Sequence, residues 1–354
     1  MTVLSEKRDL YLSEFKPKAQ VVVKETLVET PRFPVIDAHI HLSSGFGGKW
    51  RDKPLEDLLE AMDRSKISKV IDLDGGWGED ILDANLAYFK EKAPERFVHF
   101  AGVDWEKWAE LGNAFPEYAV KRLRAQASRG AEGLKIWKPF GLQVKDQEGK
   151  LVAVDDERLI PLWETAGELN LPVLVHVADP VAFFDPLNEH NERWEELHKQ
   201  PDWQFTSPPY PSFSSILEAF ANLIRRHKNT VFIGAHVGCY AENLGWVSAL
   251  LDECPNFYID ISARLGELGR QPYSSRRFFI KHAERILFGT DADARQKTYQ
   301  LYYRFLETDD EYFSYNLADP PRQGRWYVYG LYLPDEVLEK VYYQNAVRLL
   351  GKGT

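Results

Sequence analysis

Val35-Ile36-Asp37-Ala38-His39-Ile40-His41-Leu42 is the stretch on which the reading of this chain turns. It is an apolar run that closes on two histidines. In a strand, side chains two apart point to the same side, so His39 and His41 share one face at the strand's C-terminal end. Two neutral imidazoles in that arrangement make half of a zinc-type site. A polar strand end is the bland alternative, and the rest of the chain decides between them.

From Val35 onward the hydrophobic period switches repeatedly between short β-like runs and stretches of helical period, the pattern of βα units on a parallel sheet. The strand candidates are Val35 to Leu42, Lys69 to Leu73, Phe97 to Val103, Gly133 to Trp137, Pro172 to Val177, Thr230 to Val237, Phe257 to Ile261 and Ile286 to Gly289. Between them run amphipathic stripes, such as Leu55, Leu58, Leu59 and Met62, or Ile216, Leu217, Phe220, Leu223 and Ile224 ahead of Arg225, Arg226 and His227. Eight strands with intervening helices close a (β/α)8 TIM barrel. An open doubly wound sheet is disfavoured, since Gly45-Phe46-Gly47-Gly48 has the composition of a nucleotide turn without its G-x-G-x-x-G spacing.

The barrel is expected to occupy residues 35–354 as one domain ending in a helix. Residues 1–34, punctuated by Pro31 and Pro34, read as an N-terminal arm. Two connections, 178–212 and 307–333, are too long for simple βα loops and read as lid-like insertions whose aromatics pack down. The second is also a plausible surface for a homo-oligomer. Neither a signal-peptide core nor a membrane-spanning apolar run is present, so the expectation is a cytoplasmic protein.

The formal net charge of −10 argues against nucleic acid and anionic membranes as partners and leaves a small-molecule substrate. With two cysteines, Cys239 and Cys254, any metal chemistry falls to the nine histidines and the carboxylates. His176 stands near the end of the fifth strand, His236 near the end of the sixth, and Asp291 just past the eighth. Barrel enzymes build their active sites from strand C-terminal ends. Five metal-competent residues at four such ends are hard to explain as core filling.

These residues, His39-x-His41, His176, His236 and the Gly289-Thr290-Asp291 ending, resemble the amidohydrolase superfamily, most closely its branch of amidohydrolase-related hydrolases and aminocarboxymuconate-semialdehyde-type decarboxylases. The resemblance runs from about Val35 to a terminal helix near Leu350, including Asn345-Ala346. It implies that His39, His41, His176 and Asp291 hold one divalent metal ion, with Asp291 and His236 as the catalytic pair. Zinc suits such a set best, and manganese, iron or cobalt are also accepted. In the superfamily's two-metal members a carboxylated lysine on the fourth strand bridges the ions. Here Lys135 would fill that role, a second metal being the less favoured arrangement.

By the two-residue period Lys135 and Trp137 face inward on the fourth strand and join the substrate-binding candidates, while Lys138 falls on the solvated side unless the turn at Pro139 redirects it. Arg264 and Arg270 after the seventh strand, and Arg193 in the fifth loop, are candidates for gripping a substrate carboxylate. Pairing of Arg264 with Glu267 is the structural alternative. Arg295 is a similar candidate in an eighth loop that lacks the proline common in the branch. The strand-end acids Asp72, Asp74, Asp104, Asp179, Asp260 and Asp293 read as helix caps or as acceptors for backbone amides. His99 reads as a satisfied core histidine, and His190, His198, His227 and His282 as solvent-facing. The leading function is a metal-dependent hydrolase with a metal-activated water; the alternative is a non-oxidative decarboxylase or hydratase of an unsaturated or aromatic acid. A catalytically silent binding barrel is disfavoured by the complete residue set.

Overall fold

A computed structural model describes residues 9–11, 14–15, 17–43 and 48–351. The glycine-rich stretch Gly45 to Gly47 and the arm residues Met1 to Arg8 lie outside the described residues. All eight expected strands are present: β1 Val35–Ile40, β2 Ile67–Asp72, β3 Phe97–Ala101, β4 Gly133–Ile136, β5 Val173–Val175, β6 Phe232–Gly234, β7 Phe257–Asp260 and β8 Ile286–Leu287. They pair in chain order, every neighbour parallel. The ring is joined on its last side by hydrogen bonds from the Ala38 amide to the Phe288 carbonyl and from the Asp291 amide to the His39 carbonyl. The fold is a (β/α)8 barrel.

Two apolar cores follow from the alternation of faces. Val35, Val70, Leu134, Ile136, Val173, Val175 and Phe232 pack outward against the helices. Ile36, Val98, Phe100, Leu174, Ile233 and Leu287 form a separate cluster inside the ring, with Ala346 and Leu350 of the C-terminal helix against it. Gly133 makes room for this filling, because a Cβ there would stand 2.4 Å from the Phe100 ring. The floor of the barrel is therefore closed and dry, and polar groups collect at the opposite mouth.

One irregularity sets up that mouth. Along β1 the partner of Asp37 is Val70, yet the partner of Ile40 is Asp72, so β1 carries one extra residue. Ile36 and Ala38 belong to the inner cluster whereas Ile40 belongs to the outer one. The bulge flips the parity between them, which turns His39 and His41 inward.

The expected insertions hold short helices at Val181–Phe183, Trp194–Lys199 and Pro201–Trp203, and an antiparallel bridge between Phe313 and Val328. Phe183, Phe313 and Tyr315 are buried; Trp194, Trp203 and Tyr327 stay exposed. The two segments meet through an Arg325–Glu195 ion pair of 2.7 Å. Thr26 of the N-terminal segment bonds Asp310 through both its amide and its hydroxyl. Among the described residues, no helix is long and apolar enough to cross a membrane.

Two histidines expected to face solvent do not. His227 ends the helix Phe213–Arg226 and His282 ends Pro272–Lys281, and both are buried. Burial pushes each down to about 4, aided by Arg226 and by Lys281 respectively. Because the folded state resists protonation, the unfolded chain takes up protons first as pH falls below about 6.5, so stability drops between that pH and about 4. The expected loss is on the order of 2 kcal/mol per group. Melting temperature followed from pH 7 to pH 4 should fall less steeply in His282→Gln than in the parent; parallel curves would refute the assignment.

Candidate functional site

The inward-facing ends of β1, β4, β5, β6 and β7, with the turn after β8, converge on one cluster. Asp291 is its centre. Its Oδ1 lies 3.5 Å from His39 Nε2 and 3.3 Å from His41 Nε2, and its Oδ2 lies 3.7 Å from His236 Nε2. Ligand atoms of His39, His41 and Asp291 all fall within 4.8 Å of one another, as do those of His39, His236 and Asp260. His176 stands beside this group rather than within it: its ring is 4.5 Å from that of His236, and its Nε2 is 3.5 Å from Asp179 Oδ1.

The opposite ring nitrogens are anchored. His39 Nδ1 meets Asp260 Oδ2 at 2.9 Å, His41 Nδ1 meets Asp74 Oδ1 at 2.7 Å, and His236 Nδ1 donates to the Ser262 carbonyl at 2.9 Å. A carboxylate or carbonyl behind an imidazole fixes the ring's orientation and turns Nε2 toward the cluster. The strand-end acids thus combine the expected acceptance of backbone amides, from Leu42 for Asp72, Ser43 for Asp74, and His236 and Ser262 for Asp260, with the orientation of imidazole rings. Asp72 plays the same part for His99, at 2.9 Å, on the helix-facing side of β3. Asp293 pairs with Arg295, and Asp104 uses its backbone carbonyl to accept from Lys107.

Charge follows burial. Burial, with Lys135 and Lys138 nearby, pushes His176 down to about 4 against the pull of Asp179. His236 is held well below the usual range by burial, then by Arg264 and His176. These imidazoles are neutral at pH 7, the form that binds a cation. Burial would raise the Asp291 carboxyl, but the surrounding histidines hold it well below the ordinary value. Against its burial, hydrogen bonds to Asp291 and Asp74 raise His41 to about 9, so a cation bound there displaces its proton. Imidazoles around one ionised carboxylate, with acids behind them, fit a divalent ion. His39, His41 and Asp291 can hold it, with His176 or His236 as a further donor.

The backbone is strained at three successive strand ends: His236 and Val237 after β6, Ala263 after β7 and Asp291 after β8 have φ of 55°, 61°, 53° and 54°. Non-glycine residues in this region cost of order 1–3 kcal/mol each and gather at functional sites.

Beside the cluster lies a cavity of about 470 Å³ lined by His39, His176, His236 and Asp291 on one side and by aromatic rings on the other. Trp77 and Trp137 stack at 3.8 Å, with Phe183 and Trp203 completing the wall. Lys135 is fully buried, its Nζ makes no hydrogen bond, and it sits 4.6 Å from the Trp137 ring. Burial pushes its amine down to about 8, against the attraction of Asp291 and Asp260. Gly76 makes this packing feasible: a Cβ there would stand 2.3 Å from Trp137 Nε1 and 2.8 Å from Lys135 Cγ.

The arginines separate. Arg264 is buried and lines the cavity; its one hydrogen bond runs to the Ala263 carbonyl. Arg193 also borders it, but its guanidinium is engaged by Glu196 and Glu267; Glu267 pairs directly with Arg193 and feels Arg264 only at longer range. Arg270 lies outside the lining, paired with Glu192 at 2.8 Å and stacked 3.8 Å over Trp326. Lys138, expected in solvent, turns into the mouth and binds Asp179 at 2.5 Å. The turn at Pro139 redirects it. Asp74, Asp260, Ser262 and Trp77 escaped the sequence reading as site residues. Inward parity on β7 was the available signal for Asp260 and Ser262.

Residues 36–352 match the amidohydrolase family profile, and the chain belongs to that family. No curated protein sequence matches it. Solved structures share the fold at low identity. The 2,6-dihydroxybenzoate decarboxylase from Rhizobium is 16% identical with a TM-score of 0.54, covering 90% of this chain and 98% of its own. The dihydroxybenzoic acid decarboxylase from Polaromonas sp. JS666, which carries manganese and the inhibitor 2-nitroresorcinol, is 16% identical with a TM-score of 0.52, covering 90% and 96%. A probable 2-pyrone-4,6-dicarboxylic acid hydrolase from Acinetobacter baumannii, with citric acid bound, is 12% identical with a TM-score of 0.50, covering 90% and 100%.

Proposed function

We propose that this chain is a metal-dependent, non-oxidative decarboxylase of a planar aromatic or unsaturated carboxylic acid. The observation that carries the reading is Arg264, a buried guanidinium without an ion pair among the described residues, facing a cavity walled by stacked tryptophans beside the histidine and aspartate cluster. A flat slot binds a ring, and a guanidinium fork binds its carboxylate. The bound cation, zinc or manganese in the first instance, supplies Lewis-acid polarisation of a substrate oxygen. Asp291 and His236 carry the proton: one proton is delivered to the ring carbon as its bond to the carboxylate breaks, the bonding electrons stay with the ring, and carbon dioxide departs. No oxidant is required.

Hydrolysis is the second reading, supported by the family membership and by open space on both sides of Asp291. There Asp291 accepts a proton from water and passes it to the leaving group. Carbon dioxide release from 2,6-dihydroxybenzoate and related hydroxybenzoates, measured anaerobically with manganese and no other cofactor, is the expected result. Ring opening of a lactone acid without carbon dioxide would replace decarboxylation by hydrolysis. Arg264→Ala should raise KM about 100-fold, the scale of a lost charge-assisted contact; an unchanged KM would remove the arginine from the binding scheme.

A further inference from the structure

A second cavity, of about 440 Å³, lies across Asp291 from the tryptophan-walled one. Asp291, Ala263 and Gln323 border both, so the two spaces meet at the carboxylate on which the site is centred. Their walls differ in character. The first is walled by tryptophans, whereas the second sets Arg295, Arg322, Thr298 and Asn316 among Tyr302, Tyr315 and leucines, with Asp291 as its one acid. Arg295 is engaged by Asp293 through Nε, and its remaining guanidinium nitrogens carry no hydrogen bond. Arg322 is exposed and has no partner among the described residues. The cavity also opens on the start of the 12-residue helix Gln296–Glu307, whose first turn has no side-chain cap.

We infer that the substrate is bipartite: a planar acid fills the tryptophan-walled cavity and carries a second anionic group, a carboxylate or a phosphate, that reaches past Asp291 to Arg295 and Arg322. The inference rests on the reading of the first cavity as the seat of the planar acid. It adds a second anchor, which explains why two cationic side chains flank a site whose own carboxylate grip, Arg264, lies on the other side of Asp291. An anion held by guanidinium groups gains charge-assisted hydrogen bonds that a neutral tail does not.

The test compares three probes by titration calorimetry on the manganese-loaded chain: benzoate, 3-carboxyphenylacetate and 3-carboxybenzyl phosphate. Both two-anion probes are expected to bind at least tenfold more tightly than benzoate, the tighter of them naming the tail. Arg295→Ala combined with Arg322→Ala should close that gap; both side chains are peripheral, and an unchanged melting temperature will confirm that the variant folds. Equal affinity of all three probes, or equal weakening of all three in the double variant, overturns the second anchor. Arg264→Ala separates this from the reading it rests on. Loss of all three probes in that variant supports the first cavity, whereas unchanged benzoate binding sinks the first cavity even where the tenfold gap persists.

Discussion

Asp291→Asn is expected to lower turnover by at least about 1,000-fold and to release most of the bound metal, the scale of losing a proton-transfer group that is also a ligand. The carboxylate faces three imidazoles at 3.3 to 3.7 Å, so it is the shared negative partner of His39, His41 and His236. An amide keeps the volume and loses the charge. It also cannot accept and return a proton. The substitution is well posed because Asp291 has φ of 54°, and asparagine enters that left-handed region at least as readily as aspartate. An alanine there would add backbone strain to the chemical change. Metal content by atomic emission, read beside kcat, checks the prediction. A variant that keeps nearly all its metal and stays within about tenfold of parental kcat would show that Asp291 is a bystander.

The sequence told most where one face of an element had to be buried. The alternation of β4 turned Lys135 and Trp137 inward, and they line the interior in the structure. The same logic found the strand-end histidines, although on β1 it succeeded for an incomplete reason. Parity counted from Val35 to Leu42 assumes an unbroken pleat, while the bulge near Ala38 is what separates the apolar floor residues from the two histidines above them. A bulge is a tertiary event and leaves no mark in the apolar period.

Loops and pairings were the harder part. Lys138 follows the last strand residue by two and looks solvated, but Pro139 sends the chain into a turn that delivers its ammonium to Asp179. Arg193 and Arg264 are equivalent as letters. What distinguishes them is that Glu196 and Glu267 reach one guanidinium and leave the other to the cavity. Glu196 is three residues from Arg193, but Glu267 is 74 away and cannot be assigned from local pattern. The acids behind the histidines were obscured for a related reason. Asp74 and Asp260 sit where helix caps are common, and only their distance to an imidazole reveals that they orient a ring.

The remaining large effect separates His176 from His236. His176→Ala is expected to remove metal and activity together, whereas His236→Asn should abolish turnover and retain most of the metal. Both rings are buried and held neutral, so protonation state does not divide them. Their surroundings do. His236 is fixed by the Ser262 carbonyl behind it and looks at Asp291, the geometry of a group that exchanges a proton with that carboxylate. His176 faces the mouth, where its Nε2 has no hydrogen bond among the described residues and Asp179, itself held by Lys138, stands 3.5 Å away. A buried nitrogen lone pair without a donor is costly unless something occupies it, and a cation does so. Asparagine is the informative replacement at 236, since φ is 55° there and alanine would confound chemistry with strain. Metal lost from His236→Asn but kept in His176→Ala would exchange the two roles, placing His236 in the coordination set and His176 on the proton path. Loss of a second metal equivalent in His236→Asn would instead mark a binuclear site, with Lys135, buried and without a hydrogen bond, as the bridging residue.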